Sequence, residues 1–142
     1  MKKCELCEQP GGAALWCDAA CRVVLVEERG YPGFCRVIWN AHVSEMTDLA
    51  AEERFHLMRV VFAVEAALRE IMNPHKINLA SLGNMTPHVH WHVIARFTSD
   101  PHFPEPVWGV QQRAAQAAAP ANLAAELAAA LIARLNDSVA RT

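Results

Sequence analysis

The run Pro87-His88-Val89-His90-Trp91-His92-Val93-Ile94 alternates imidazoles with bulky apolar side chains. Only an extended chain sorts such alternation onto two faces, because strand side chains point to opposite sides in turn. Residues two apart then lie about 6.5–7 Å apart along one face. The run predicts a strand from His88 to Ala95. Val89, Trp91 and Val93 face a core, and His88, His90 and His92 form a row on the other side. A sheet with one apolar face must be covered by another layer, so the rest of the chain has to supply one.

Asp48 to Met72 supplies the first cover. Leu57, Val61, Val64, Leu68 and Ile71 step by four and three, the spacing of one helical stripe. Asp48, Glu52 and Glu53 suit the positive end of the helix dipole, and Asn73-Pro74 stops the helix. Leu15 to Cys17, Cys21 to Val26 and Phe34 to Trp39 read as strands, the last two joined through Gly30, Pro32 and Gly33. Lys76 to Leu82 is a further strand, and Gly83 to Pro87 a turn or bulge. The segment "RFTSDPHFPEPVWG" has three prolines and is a loop. Residues 111–142 are Ala-rich. Within them Leu123, Leu127, Leu131 and Leu135 fall four apart, which predicts a packing helix beginning near Pro120. These elements describe an α+β fold with an antiparallel sheet. One domain spans residues 1–110, and an Ala-rich helical extension, 111–142, packs on it.

At 142 residues the chain is long enough for one domain with its own core. It is 53% hydrophobic and 20% charged, with a net charge of -2. That balance argues against nucleic acid as a partner. There is no apolar run of membrane-spanning length and no signal-peptide pattern, so the reading is a cytoplasmic protein without a membrane partner. Five cysteines in a reducing compartment are thiols or metal ligands rather than disulfides.

Three imidazoles in a row admit three readings. They can ligate a metal, perform nucleophilic and acid–base chemistry on an anionic group, or merely occupy a wet strand face. Cys4-Glu5-Leu6-Cys7 is open in the same way among zinc, redox work and coincidence.

His88-Val89-His90-Trp91-His92-Val93-Ile94 resembles the signature of the histidine triad (HIT) family, His-x-His-x-His-x-x with apolar x. "FCRVIWNAHVSEMTDL", "INLASLGNMTPHVHWHVIARF" and "DPHFPEPVW" are similar to the segments around that signature in a bacterial, dinucleoside polyphosphate hydrolase-like branch. The resemblance covers about two thirds of the chain. It implies a HIT-like α+β subunit with about five antiparallel strands, one long helix and a C-terminal helix, usually as a homodimer. It also implies a nucleotide hydrolase or transferase acting at an α-phosphate. His90 would be the nucleophile, forming a nucleotidyl-imidazole, and His92 would contact phosphate oxygens. Catalytic residues are then His90, His92 and His88, and substrate contacts are Asn84, Gly83 and, with its spacing one residue off, Asn78. Met85 departs from the Ser or Thr of many relatives, which disfavours phosphoramidate substrates against dinucleoside polyphosphates. Cys4, Cys7, His42 and His88 match a structural Zn2+ set found in some relatives. Two other readings remain open: a nucleotide-binding regulatory module without turnover, and a zinc enzyme using all three triad histidines as ligands.

The remaining polar and aromatic residues have humbler expectations. Cys17, Cys21 and Cys35 sit in or beside apolar runs and are expected in the core. His56 and His75 are expected in solvent. His102 is a candidate to overhang the site, Trp108 to cap it, and Arg96 to meet a distal phosphate or form a surface ion pair. Val24 to Val26 and Ile38 are the expected wall of a ribose pocket.

Overall fold

The computed structural model describes residues 3–116 and 119–136. Of the Ala-rich extension, Ala117, Ala118 and residues 137–142 lie outside the described residues. Five strands form one antiparallel sheet: β1 Ala13–Cys17, β2 Cys21–Leu25, β3 Phe34–Trp39, β4 Lys76–Ala80 and β5 His90–Arg96. Their order is β1-β2-β3-β5-β4, so β5 is interior and β4 closes one edge. Helices α1 Glu5–Glu8, α2 Ala51–Met72 and α3 Leu123–Asn136 complete the chain. This is the expected five-stranded α+β architecture.

One face of the sheet is covered by α2 and α3. Leu57, Val61, Val64 and Leu68 of α2 pack against Val23, Val37 and Val93 of the sheet. Leu123, Leu127, Leu131 and Leu135 bring α3 into the same core. Polar contacts tie α3 down further, among them Arg59 Nη2 donating to Leu135 O at 3.1 Å. Trp16 Nε1 donates to Asn136 Oδ1 at 3.2 Å, and Arg134 pairs with Glu70 at 2.6 Å.

Element ends moved by two or three residues. Residues 46–48 form a 3₁₀ turn, and α2 starts at Ala51. The Glu53 carboxylate accepts the Ala50 backbone N–H there at 2.8 Å. Asn73 ends the helix in the left-handed region, φ 46°, and Pro74 follows. Pro120 lies just ahead of α3, its carbonyl accepting the Leu123 N–H at 3.1 Å.

Core expectations held for Cys21 and Cys35, both fully buried. Cys17 is exposed instead. It ends the edge strand β1, beyond a register shift between Ala14 and Trp16, so no neighbour covers it.

Candidate functional site

Residues paired across an antiparallel sheet share a face. Ile38 pairs with His90, Arg36 with His92 and Phe34 with Ile94, while Ala80 pairs with His92 and Asn78 with Ile94. His90 and His92 therefore stand on the face away from α2. That face is not wet: His88 is 1% exposed, His90 8% and His92 6%. Three buried histidines need partners, and those partners define the site.

His88 falls just before β5, in a bend rather than in the strand. Its backbone N–H turns back to Thr86 O at 2.8 Å. Its ring Nε2 lies 2.5 Å from Trp39 O. A carbonyl only accepts, so Nε2 carries the proton and Nδ1 offers its lone pair. That Nδ1 sits 3.3 Å from Cys4 Sγ and 3.5 Å from Cys7 Sγ, and His42 Nδ1 is 3.5 Å from Cys7 Sγ. The four ligand atoms all lie within 4.8 Å of one another. Tetrahedral zinc, with bonds near 2.3 Å to sulfur and 2.0–2.1 Å to nitrogen, holds neighbouring S and N about 3.5 Å apart. The residues fit that ion in type and in spacing. Trp39 O is the kind of outer acceptor that orients a ligating histidine.

His90 is fixed from the other side. Its Nδ1 is 2.6 Å from His88 O, so Nδ1–H donates and Nε2 is left with a free lone pair. His92 stands edge-on to His90, ring centroids 5.0 Å apart, and is flanked by Trp108 at 5.0 Å and Phe34 at 5.6 Å. Burial, then the neighbouring His90 and Arg36, push the His92 pKa down to about 4, so at neutral pH its ring is uncharged. The alternating histidines do not converge as metal donors. Among the described residues the converging sets are Cys4, Cys7, His42 and His88, and Asp18, Cys21 and His56.

A cavity of about 360 Å³ opens beside His90, lined in part by Ser44, Glu45, Ser81, Gly83, His88 and His90. Gly83 has φ 92°, a conformation a side chain would strain. Ser81, which sequence reading passed over, donates its hydroxyl to His90 O at 2.7 Å. A hydroxyl at the end of the strand beside Gly83 was the available signal.

Other expected residues sit elsewhere. Asn84 is exposed and Met85 is 96% exposed. Asn78 Oδ1 accepts from Arg96 at 2.7 Å. Arg96 is neither a surface residue nor free for a phosphate: it is 2% exposed and forks onto Asp100 at 2.8 and 3.1 Å. His102 bonds the Tyr31 hydroxyl at 2.6 Å and stacks on that ring. His56 is half-buried and bonds Asp18 at 2.6 Å. His75 is exposed, as expected. Val24 and Ile38 are sealed beneath Leu6, so they wall no open pocket. The short helix α1, which follows Cys4 and contains Cys7, brings Leu6 down onto the sheet.

The fold and these histidines define a recognisable class. The HIT domain family model matches residues 13–99. A histidine triad protein of Bradyrhizobium japonicum is 30% identical with a TM-score of 0.71, over 89% of this chain and 92% of that one. One from Sinorhizobium meliloti is 28% identical at TM-score 0.70, over 89% and 91%. A zinc-bound histidine triad family protein of Mycobacterium smegmatis, 20% identical at TM-score 0.63 over 89% and 88%, shares the fold. No curated protein matches. The chain belongs to the histidine triad family. Family membership supports nucleotide binding or hydrolysis in general.

Proposed function

We propose that this protein cleaves nucleotides at the α-phosphate, with dinucleoside polyphosphate-like substrates, through a covalent bond to His90. The observation that carries this reading is the 2.6 Å contact from His90 Nδ1 to His88 O. It commits the proton to Nδ1 and leaves Nε2 as the nucleophile. In the first step Nε2 attacks the α-phosphorus, the bond to the bridging oxygen breaks, and the distal phosphate part leaves. In the second step water attacks the same phosphorus, the P–N bond breaks, and the mononucleotide departs. Splitting one displacement into two lowers each barrier. Charge spreads over the phosphoryl oxygens in both steps, so positioned donors count most. His92 is the nearest imidazole for that work. Gly83 lines the cleft beside His90, so its backbone N–H is a further substrate contact in this reading, and the exposed Asn84 next to it would have to turn inward to join it. Asn78, held by Arg96, has the weaker claim.

His88 contributes through its ligand set rather than by touching substrate, since both ring nitrogens are engaged. Cys4, Cys7, His42 and His88 would hold a structural Zn2+. Four protein ligands close the coordination shell, so the ion supplies rigidity between the N-terminus and β5. The Mycobacterium relative is alike in fold alone at its identity, so the zinc reading stands on the donor set itself. A homodimer is proposed as well, supported by the open edge of β4 and by Phe55 and Phe62 of α2, 76% and 52% exposed.

The test is a nucleotide panel run on wild type and His90→Asn, with metal content measured on both. Turnover should fall by on the order of 10³-fold or more while binding persists, because the nucleophile itself is removed. Wild-type rates in His90→Asn, or absence of turnover with every nucleotide in wild type, would reject the catalytic reading. The latter result would leave a binding module.

A further inference from the structure

Strand β3 reads Phe34-Cys35-Arg36-Val37-Ile38-Trp39, with one charge among five apolar or thiol side chains. Arg36 lies directly across from His92 on β5 and from Val24 on β2. It therefore stands on the histidine face. These register partners each leave a buried polar atom without a hydrogen bond, Arg36 Nε and His92 Nδ1. They are two of the three such atoms among the described residues.

The other two strand arginines of this face are already committed, and Lys76, the register partner of Arg96, lies exposed at the outer end of the edge strand. Arg22 donates to the Leu6, Gln9 and Pro10 carbonyls and to Asn40. Arg96 is paired with Asp100. Arg36 has one hydrogen bond, from Nη1 to Gly11 O at 3.3 Å, and no carboxylate pairs with it among the described residues. A guanidinium carries five donors and a permanent charge. Half-buried charge without a partner is costly, and unsatisfied buried groups in a native protein call for an explanation such as an ion.

We propose that Arg36 is a substrate-contacting residue that binds a phosphate oxygen of the nucleotide held over His90. The inference rests on the functional reading above. Directly opposed side chains begin about 5 Å apart and diagonal ones about 7–8 Å. An arginine stem spans either, so Arg36, His92 and His90 can share one polyphosphate chain. The occupant is the anionic part because this face holds uncompensated positive charge, whereas a base or ribose is neutral.

Calorimetric titration of the full-length, zinc-loaded protein with AMP, inorganic pyrophosphate and adenosine tests this on wild type, Arg36→Lys and Arg36→Met. A charge-assisted hydrogen bond is worth about 1.5–3 kcal/mol, or roughly 10- to 150-fold in affinity. Arg36→Met should weaken AMP and pyrophosphate at least tenfold and adenosine less than twofold. Arg36→Lys should recover part of the loss. Equal loss on adenosine would mean that Arg36 shapes the pocket, and would overturn the inference. So would unchanged AMP affinity. If wild type binds none of the three probes, the functional reading itself fails, a result distinct from both. Should Arg36→Met not fold, Arg36→Gln carries the same comparison.

Discussion

Two neighbouring histidines are set in opposite tautomers by two backbone carbonyls. Trp39 O takes the Nε2 proton of His88, and His88 O takes the Nδ1 proton of His90. The first ring thereby offers Nδ1 to the cysteines, and the second offers Nε2 to the cleft. His92 is held neutral by burial, then by His90 and Arg36. The sign of its pH effect follows from that depression. Its folded pKa, about 4, lies below the ordinary histidine value of 6.5, so between those values the unfolded chain binds more protons. Stability should rise with pH through that window and level off above it. The groups facing His92 are His90 and Arg36 from the sheet and the rings of Phe34 and Trp108. Urea unfolding at pH 4.5 and 7.5 should show His92→Gln losing less stability on acidification than wild type. The full linkage term is on the order of 3 kcal/mol. Identical pH slopes would show that His92 titrates normally.

Among the elements, β5 and the loop after it carry most of the polar organisation. The alternation of His90 to Val93 made the strand and its two faces legible, and the leucine spacing made α3 legible. Proline content marked residues 97–109 as irregular but could not say what fixes them. The answer is the Asp100 carboxylate, which accepts backbone N–H groups of Phe97, His102 and Phe103 besides the Arg96 fork. Burial raises the Asp100 pKa, but Arg96 and those N–H groups outweigh it and the net direction is down. No local pattern encodes this, because Arg96 also reaches Asn78 on β4 and the Glu105 carbonyl. Arg96→Met should cost about 3–5 kcal/mol in urea unfolding, since it leaves a buried carboxylate unpaired. Adding Asp100→Asn should recover part of that loss, and a cost below about 1 kcal/mol would mean that the pair is incidental.

At the scale of the whole molecule, the N-terminal segment is pinned to the start of β5. Cys4 and Cys7 meet His42 and His88, Leu6 covers Val24 and Ile38, and Arg22 gathers the carbonyls around α1. The ligand types were readable from the C-x-x-C pair and its resemblance. The sealing of Val24 and Ile38 was not, since an apolar strand face does not say what lies on it. Removing zinc with a chelator should release one metal per chain and lower the thermal midpoint, with Cys7→Ser behaving likewise. Unchanged stability with no metal detected would show a pair of free thiols.

The central claim is a covalent one, and mass spectrometry reads it directly. Wild type mixed briefly with a dinucleoside polyphosphate is quenched in alkaline denaturant, because a P–N bond is labile in acid. The account predicts one added nucleotidyl mass, located on the peptide carrying His90 and missing from His90→Asn. Steady hydrolysis with no adduct at any mixing time, or an adduct on another residue, would contradict it.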